Sequence, residues 1–456
     1  MENFGLDNLK GKIVHFVGIG GISMSALAQM LLKNGVTVQG SNECENEEVD
    51  KLKKKGIKVF IEHKISNLKN VQIVVYSSAI KDDNVELKHA KEKKLILLKR
   101  AEVLGMIAEK YKSVISVAGS HGKTTATAMI IEIFKRAQRK PTYHLGGVLN
   151  SSKSNFEIGN KKFFITESCE YKDNYLFLKP DLSVILNIDA DHLDYFGDIE
   201  GVKQSFLKFA GNTKEGGVNI VCIDDRNCAE ILKLENTLSF GISKKADIYA
   251  KNIKEYKKGY YSFDAVFLGY TLGNVKLNML GEHNILNALA SIMVGLVCAI
   301  DFNDIKSAIE SFSGVKRRCQ RVGEINSATV YHDYAHHPEQ IKNMVSVAKR
   351  LTQKEGRLFV VFEPHTYSRT KMLYNDFVAC FDGVDKLILA PVYSAREKPI
   401  EGYDSLKLFN GAKERVNAAL VETFAEIIFV LRQEVKKGDV VFVLGAGTIE
   451  KLCEMI

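Results

Sequence analysis

Short apolar runs alternating with helical patterns constrain this chain more than any other feature. Over the first hundred residues IVHFVG, VTVQG, KVFI, QIVVYSSAI and LILL are separated by stretches with helical spacing. Strands made of such runs bury both faces, and the intervening helices supply the cover, so the pattern predicts a parallel α/β sheet. The alternation restarts at SVISVAGS and takes in KFFITES, LSVILNID and GVNIVCID, then a strand-rich stretch near residues 247–280. A helix from Asn284 to about Ile300 follows, and a second helical segment ends near Ser313. It restarts again near Gly314 with ATVYHDYA, RLFVVFEP, KLILAPV and DVVFVLGAG. A chain of 456 residues is too long for one core. The reading is an α/β protein of three domains: Rossmann-like over 1–106, a central P-loop ATPase-type α/β domain over 107–313, and a Rossmann-like α/β domain over 314–456.

Composition removes several function classes. Apolar residues make up 46% and charged residues 26%, the balance of an ordinary globular protein. No uncharged run reaches the roughly 18 residues a membrane span needs, and the N-terminus lacks a signal-peptide pattern, so the expectation is a cytoplasmic protein without membrane contact. The net charge of +8 arises from 63 basic and 55 acidic residues dispersed along the chain. Dispersed charge without interleaved aromatics suits small anionic substrates and excludes nucleic acid as a partner. The eight cysteines form no C-x-x-C pair, which argues against a zinc site or a disulfide framework.

Two glycine turns follow apolar strands. The first, GIGGISMS, places Gly18, Gly20 and Gly21 before a helix expected to begin near Ser23, aiming backbone N–H groups at an anion. A dinucleotide fingerprint would need glycine at position 23, so a nucleotide diphosphate fits better than a nicotinamide cofactor. Ser77 and Ser78 end another strand, where open α/β sheets bind ligands and where solvated turns also occur. The second turn, Gly119-Ser120-His121-Gly122-Lys123-Thr124-Thr125, carries what the first lacks: a lysine to reach phosphates and a hydroxyl for Mg²⁺. An isolated lysine at the positive end of a helix is unfavourable, and a bound polyphosphate removes the conflict. Acidic and imidazole groups end the next strands, Glu167 and Glu170 in one segment and Asp189, Asp191, His192 and Asp194 in another. They are candidates for metal ligands or for groups that orient them.

The ordered set AGSHGKTT, ES..E, NIDADHLDYFG, GEHNILNALA, SGVKRR and HDYAHHPEQI resembles the Mur ligases, ATP-dependent amino-acid ligases of peptidoglycan precursor synthesis. HFVGIGGISMS, DYAHHP and EPHTYSRT are similar to the alanine-adding branch. The resemblance spans residues 12–450 and implies ATP and Mg²⁺ as cofactors, UDP-N-acetylmuramate and L-alanine as partners, and a monomer or homodimer. By that resemblance Lys123 contacts the ATP phosphates, Thr124 and Glu167 hold Mg²⁺, and His192 serves a second metal or the acyl-phosphate region. Asn284, Asn287, Arg318 and Asp333 face the nucleotide. Gly18, Gly20, Gly21, Ser23, Ser77, Ser78 and Arg100 take the UDP-sugar, and Tyr334, His336, His337, His365 and Arg369 the alanine. Thr366 stands where many relatives carry arginine, and Asn42 where aspartate is common.

The implied chemistry converts a carboxylate to an acyl phosphate, which the alanine amine then attacks. Lys123, Mg²⁺ and Arg318 suit the developing charge, His337 is a candidate proton acceptor, and Arg369 can clamp a carboxylate as a fork. Ligands spread over three units imply closure around the reactants, which keeps water from the intermediate. A ligase adding another amino acid or a peptide, a P-loop sensor without turnover, and a dehydrogenase remain as rivals at this stage.

Overall fold

A computed structural model describes residues 4–456 apart from 396, with the side chain of Asp194 also outside the described residues. The chain divides into two compact units, one of Met1–Ile253, Ser262–Asn278 and His283–Ser313, the other of Lys254–Tyr261, Met279–Glu282 and Gly314–Ile456. Among the described residues there are three sheets of five, ten and six strands. This is the mixed α/β architecture that the alternating apolar runs predict.

In the first sheet the order is Lys58–Ile61, Thr37–Asn42, Ile13–Val17, Ile73–Tyr76, Ile96–Lys99, with every pairing parallel. Ile13–Val17 sits where the order reverses, so its glycine turn opens at the switch point, where such sheets bind ligands. At the heart of the ten-stranded sheet Ser113–Ala118 pairs in parallel with Leu182–Ile185 on one side and Phe163–Glu167 on the other. Its residues from Val114 to Ala118 are buried, as a strand covered on both faces requires. The six-stranded sheet runs Gln320–Ile325, Ala328–Asp333, Val440–Leu444, Leu358–Phe362, Lys386–Leu389, Ala418–Leu420. Its first pair is antiparallel and the rest parallel.

Two local differences from the sequence reading have plain causes. The helix begun at Asn284 stops at Val297, not Ile300, because Ala299 turns left-handed and Ile300 donates its N–H back to Gly295 O at 2.9 Å, a C-terminal cap. Thr142–Leu149, Ser154–Glu157, Thr237–Gly241, Gln320–Ile325 and Ala418–Leu420 are strands that the apolar runs do not announce. Their glycines and polar residues, as in HLGGVL and QRVGEI, suppress the apolar signal. Among the described residues no helix is long and apolar enough to cross a membrane.

Candidate phosphate and substrate sites

Strand register builds the central site. Ala118 pairs with Ile185 and Val117 with Glu167, so the turn after Ala118 lies between the NIDADH and ESCE segments. Gly119 (φ +146°) and Gly122 (φ +83°) adopt conformations that side chains rarely take. A Cβ on Gly122 would lie 2.5 Å from Asn287 Oδ1. The NIDADH segment laces the turn in place. His121 N–H donates to Asn187 Oδ1 at 2.7 Å, Asn187 Nδ2 donates to His121 O at 3.0 Å, and Asp189 N–H donates to Ser120 Oγ at 2.8 Å. His121 Nε2 lies 3.0 Å from Asp189 Oδ2.

The helix Lys123–Arg136 then begins with no side-chain cap. Its first amides and dipole end therefore offer an anion site. Lys123 Nζ donates to Gly119 O at 2.5 Å and to both oxygens of Glu170, at 2.9 and 3.0 Å. Burial works against the ammonium charge, but Glu170, Cys169 and Glu167 together hold Lys123 above the ordinary lysine range. Thr124 Oγ1 donates to Glu167 Oε2 at 2.7 Å, while Oε1 of the same carboxylate lies where a side chain on Gly146 would intrude. Thr124 and Glu167 thus form a pair of hard oxygen donors, the chemistry that suits Mg²⁺.

His192, left-handed at φ +56°, lies against Tyr171 with ring centroids 4.6 Å apart and the rings tilted by 37°. Its ring, Glu170 and Asp191 can present ligand atoms all within 4.8 Å of one another. Asn284 and Asn287 open the buried helix Asn284–Val297, with Asn287 Nδ2 donating to Asn284 Oδ1 at 2.9 Å. Asn287 lies against the turn at Gly122, and Ser291 Oγ of the same helix donates to Ala126 O at 3.3 Å.

The first glycine turn differs in its partners. Gly18 is left-handed at φ +77°, Gly20 N–H donates to Asn42 Oδ1 at 3.1 Å, and the helix Ile22–Lys33 starts at Gly21 with no side-chain cap. Ser77 and Ser78 follow the strand Ile73–Tyr76, Ser78 exposed. Ser23 and Arg100 come together, Arg100 Nη1 donating to Ser23 Oγ at 3.1 Å, and both line a cavity of about 140 Å³ with His144, Gly146 and Glu167.

In the second unit Asp333 ends its strand with both oxygens engaged by backbone, accepting from Cys319 N–H at 2.7 Å and Ala335 N–H at 2.8 Å. Burial raises its carboxyl against the pull of Arg318. Tyr334 lies under both Arg317 and Arg318, whose guanidinium carbons are 4.8 and 5.4 Å from its ring centre. Its ring meets His336 edge-on; His336 neighbours His365 at 5.6 Å, and His365 neighbours Tyr393 at 5.4 Å. Arg369 Nη1 lies 3.3 Å from His365 Nδ1. Burial, then the Arg369 charge, pulls His336 down to about 3 and His365 down to about 4, so both rings are neutral near neutrality. His337 caps the helix Pro338–Leu351, with Pro338 at its first position. Thr366, at φ +68° and ψ 142°, turns the chain between His365 and the helix Tyr367–Met372.

Several site residues escaped the sequence reading. Asn187 and Gly146 were visible only as letters inside NIDADH and HLGGVL, His144 lies in an unannounced strand, and Tyr393 and Arg317 acquire neighbours only through the third sheet.

Three family models match successive stretches of the chain. The chain matches Mur ligase family, catalytic domain over residues 13–112, Mur ligase middle domain over 117–295, and Mur ligase, glutamate ligase domain over 317–447. It is 41% identical to UDP-N-acetylmuramate--L-alanine ligase of Caldanaerobacter subterraneus subsp. tengcongensis over 98% of each chain. With the Clostridium tetani protein of that name it shares 44% identity over 96% of each. Among solved structures, UDP-N-acetylmuramate-alanine ligase MurC from Thermotoga maritima superposes with a TM-score of 0.82 at 28% identity, covering 97% of this chain and 98% of that one. Likeness of this extent, together with the laced lysine turn and its flanking carboxylates, makes the chain a member of the Mur ligase family.

Proposed function

We propose that this protein joins L-alanine to the lactyl carboxylate of UDP-N-acetylmuramate at the expense of ATP, releasing ADP and phosphate. One observation carries the reading: Lys123 and the Thr124–Glu167 pair converge on an uncapped helix start. The chain's relatives named for this reaction match it at 41% and 44% identity over nearly their whole length.

In the reaction the lactyl carboxylate attacks the γ-phosphorus, the bond to the bridging oxygen breaks, and ADP leaves. The alanine amine then attacks the acyl carbon, phosphate departs with the C–O bond electrons, and the amine gives up its protons. Lys123 and the backbone amides of residues 123–125 stabilise charge on the phosphoryl group. Thr124 and Glu167 would hold a Mg²⁺ ion, with His192 at a second position, and the ion would supply neutralisation of phosphate charge. Asn284 and Asn287 hold the turn in shape for the nucleotide, and Arg318 adds a cation. Asp333 fixes the backbone that carries Arg318, since both its oxygens are engaged by amides. Gly18, Gly20, Gly21, Ser23, Ser77, Ser78 and Arg100 bind the sugar nucleotide. Arg369 pairs with the alanine carboxylate among Tyr334, His336 and His365, and His337 is the candidate proton acceptor.

The test is phosphate release with ATP, Mg²⁺ and UDP-N-acetylmuramate against a panel of amino acids, with alanine expected to give the dominant signal. Lys123→Ala should lower the rate by on the order of 10³-fold. Equal turnover without the sugar nucleotide, or an unimpaired Lys123→Ala protein, would refute the assignment.

A further inference from the structure

A chain of four hydrogen bonds runs from the helices of the first sheet into the ten-stranded sheet, crossing between them at Ser23 and His144, and its proton directions can be deduced. Thr166 Oγ1 donates to Glu167 O at 2.9 Å, so its hydrogen is already committed. His144 Nδ1, 3.4 Å from Thr166 Oγ1, must therefore carry the proton and donate. That leaves Nε2 as a lone pair, which accepts from Ser23 Oγ–H at 2.8 Å. Ser23 Oγ accepts in turn from Arg100 Nη1 at 3.1 Å. A guanidinium can only donate and a carbonyl can only accept, so the chain runs one way, from Arg100 to the backbone of Glu167. Burial, then the Arg100 charge, pulls His144 down to about 3, which keeps the ring in the single neutral form this order requires.

Arg100 itself is the unusual member. Its guanidinium is largely desolvated, and among the described residues it forms no ion pair, although Glu167 lines the same cavity. Burial works against its charge, Cys169 and Glu167 favour it, and Glu167 does so from beyond ion-pair distance, so the cation facing this cavity is still able to take an anion from outside. The cavity of about 140 Å³ admits a small acid group and not a whole sugar nucleotide. One end of it is Glu167, whose other oxygen accepts from Thr124 of the phosphate turn.

We propose that this cavity receives the carboxylate that is to be activated, with Arg100 as its cation and His144 as the positioning residue that, through Ser23, fixes the guanidinium beside Glu167. The assignment rests on the sugar-acid reading above and names the subsite of the reacting group. His144 touches neither reactant and acts through the orientation of Arg100.

Calorimetric titration with two sugar nucleotides tests it. UDP-N-acetylmuramate bears the lactyl carboxylate, and UDP-N-acetylglucosamine shares the uridine, diphosphate and sugar ring without it. Arg100→Met should weaken the first by roughly 10- to 100-fold, the value of a charge-assisted hydrogen bond, and leave the second nearly unchanged. His144→Phe should reproduce part of that selective loss and His144→Gln, which can both accept and donate, should restore it. In the wild-type protein, nitrogen-15 NMR should show His144 with its proton on Nδ1. Equal losses for both nucleotides would assign Arg100 to the diphosphate and overturn the proposal, as would no loss for either, or a proton on Nε2. Wild-type protein that binds neither nucleotide would instead overturn the sugar-acid reading, a distinct result.

Discussion

Glu170 pairs with Lys123 through both of its oxygens, so replacing it should tighten phosphate binding. Lys123 Nζ meets both oxygens of Glu170 at 2.9 and 3.0 Å, with Gly119 O at 2.5 Å as its other close acceptor. The carboxylate side chain is 2% exposed and the lysine 19%, so solvent screens the pair little. A phosphate arriving at Lys123 must break a charge-assisted contact worth about 1.5–3 kcal/mol; in Glu170→Gln it breaks a neutral one worth about 0.5–1.5 kcal/mol. The difference of about 1.4 kcal/mol is a tenfold gain in affinity. The assay is calorimetric titration with ADP in the presence of a chelator, so that no divalent ion mixes a metal effect with the lysine effect. The empty variant should also unfold at a lower denaturant concentration than wild type, and saturating ADP should close most of that gap. Weaker binding of metal-free ADP to Glu170→Gln would show that the carboxylate serves the nucleotide-bound state and would refute the competition argument.

Three other outcomes follow from single positions. Gly122→Ala places a Cβ 2.5 Å from Asn287 Oδ1 at φ +83°; it should cost about 1–2 kcal/mol in denaturant unfolding and raise the KM for ATP. Thr366→Gly removes a β-branched residue from φ +68°, and chemical denaturation should find that variant more stable by about 1 kcal/mol. The neutral rings of His336 and His365 set a pH window. Unfolded histidine takes a proton near 6.5, while the folded rings refuse it down to about 3 and about 4. Between those limits the unfolded state holds more protons, so stability falls on acidification, by up to about 1.4 kcal/mol per pH unit for each ring. His336→Gln should flatten that slope in denaturation curves recorded from pH 6.5 to 4, and an unchanged slope would contradict the assignment.

What the sequence made legible followed from local rules. Strand, glycine turn and helix start are contiguous in the chain, so the phosphate turn at 119–125 and the glycines at 18–21 could be read directly. Glu167 and Asp189 were readable because each ends a continuous apolar strand. The Lys123–Glu170 pair was not, since it depends on the turn that the chain takes after Glu167, where Lys172 and Asp173 are both left-handed. His144 was hidden for a different reason. It sits in a strand whose Gly-Gly interior breaks the apolar pattern, and its meaning comes from Ser23, 121 positions away. The neutral state of His336 and His365 likewise depends on burial and on Arg369, which no spacing encodes.

The two glycine turns show how one backbone device acquires two chemistries. Both follow a strand paired in parallel on its two sides, and both lead into helices that start with no side-chain cap. Their neighbours separate them. At the first turn Asn42 takes the Gly20 amide, and Asn46 Nδ2 donates to Gly20 O at 3.3 Å, so the turn is framed by neutral amides. At the second, Asn187 grips the backbone while Glu167, Glu170 and Asp189 surround Lys123, Thr124 and His121 with carboxylates. Neutral framing suits a diphosphate that needs only backbone donors and is not broken. Concentrated opposite charges suit a phosphoryl group that must be neutralised, held and transferred. On the proposed reading, the dipole at the helix start would draw phosphate to each turn, and the charged side chains at the neighbouring strand ends would equip only the second to react with it.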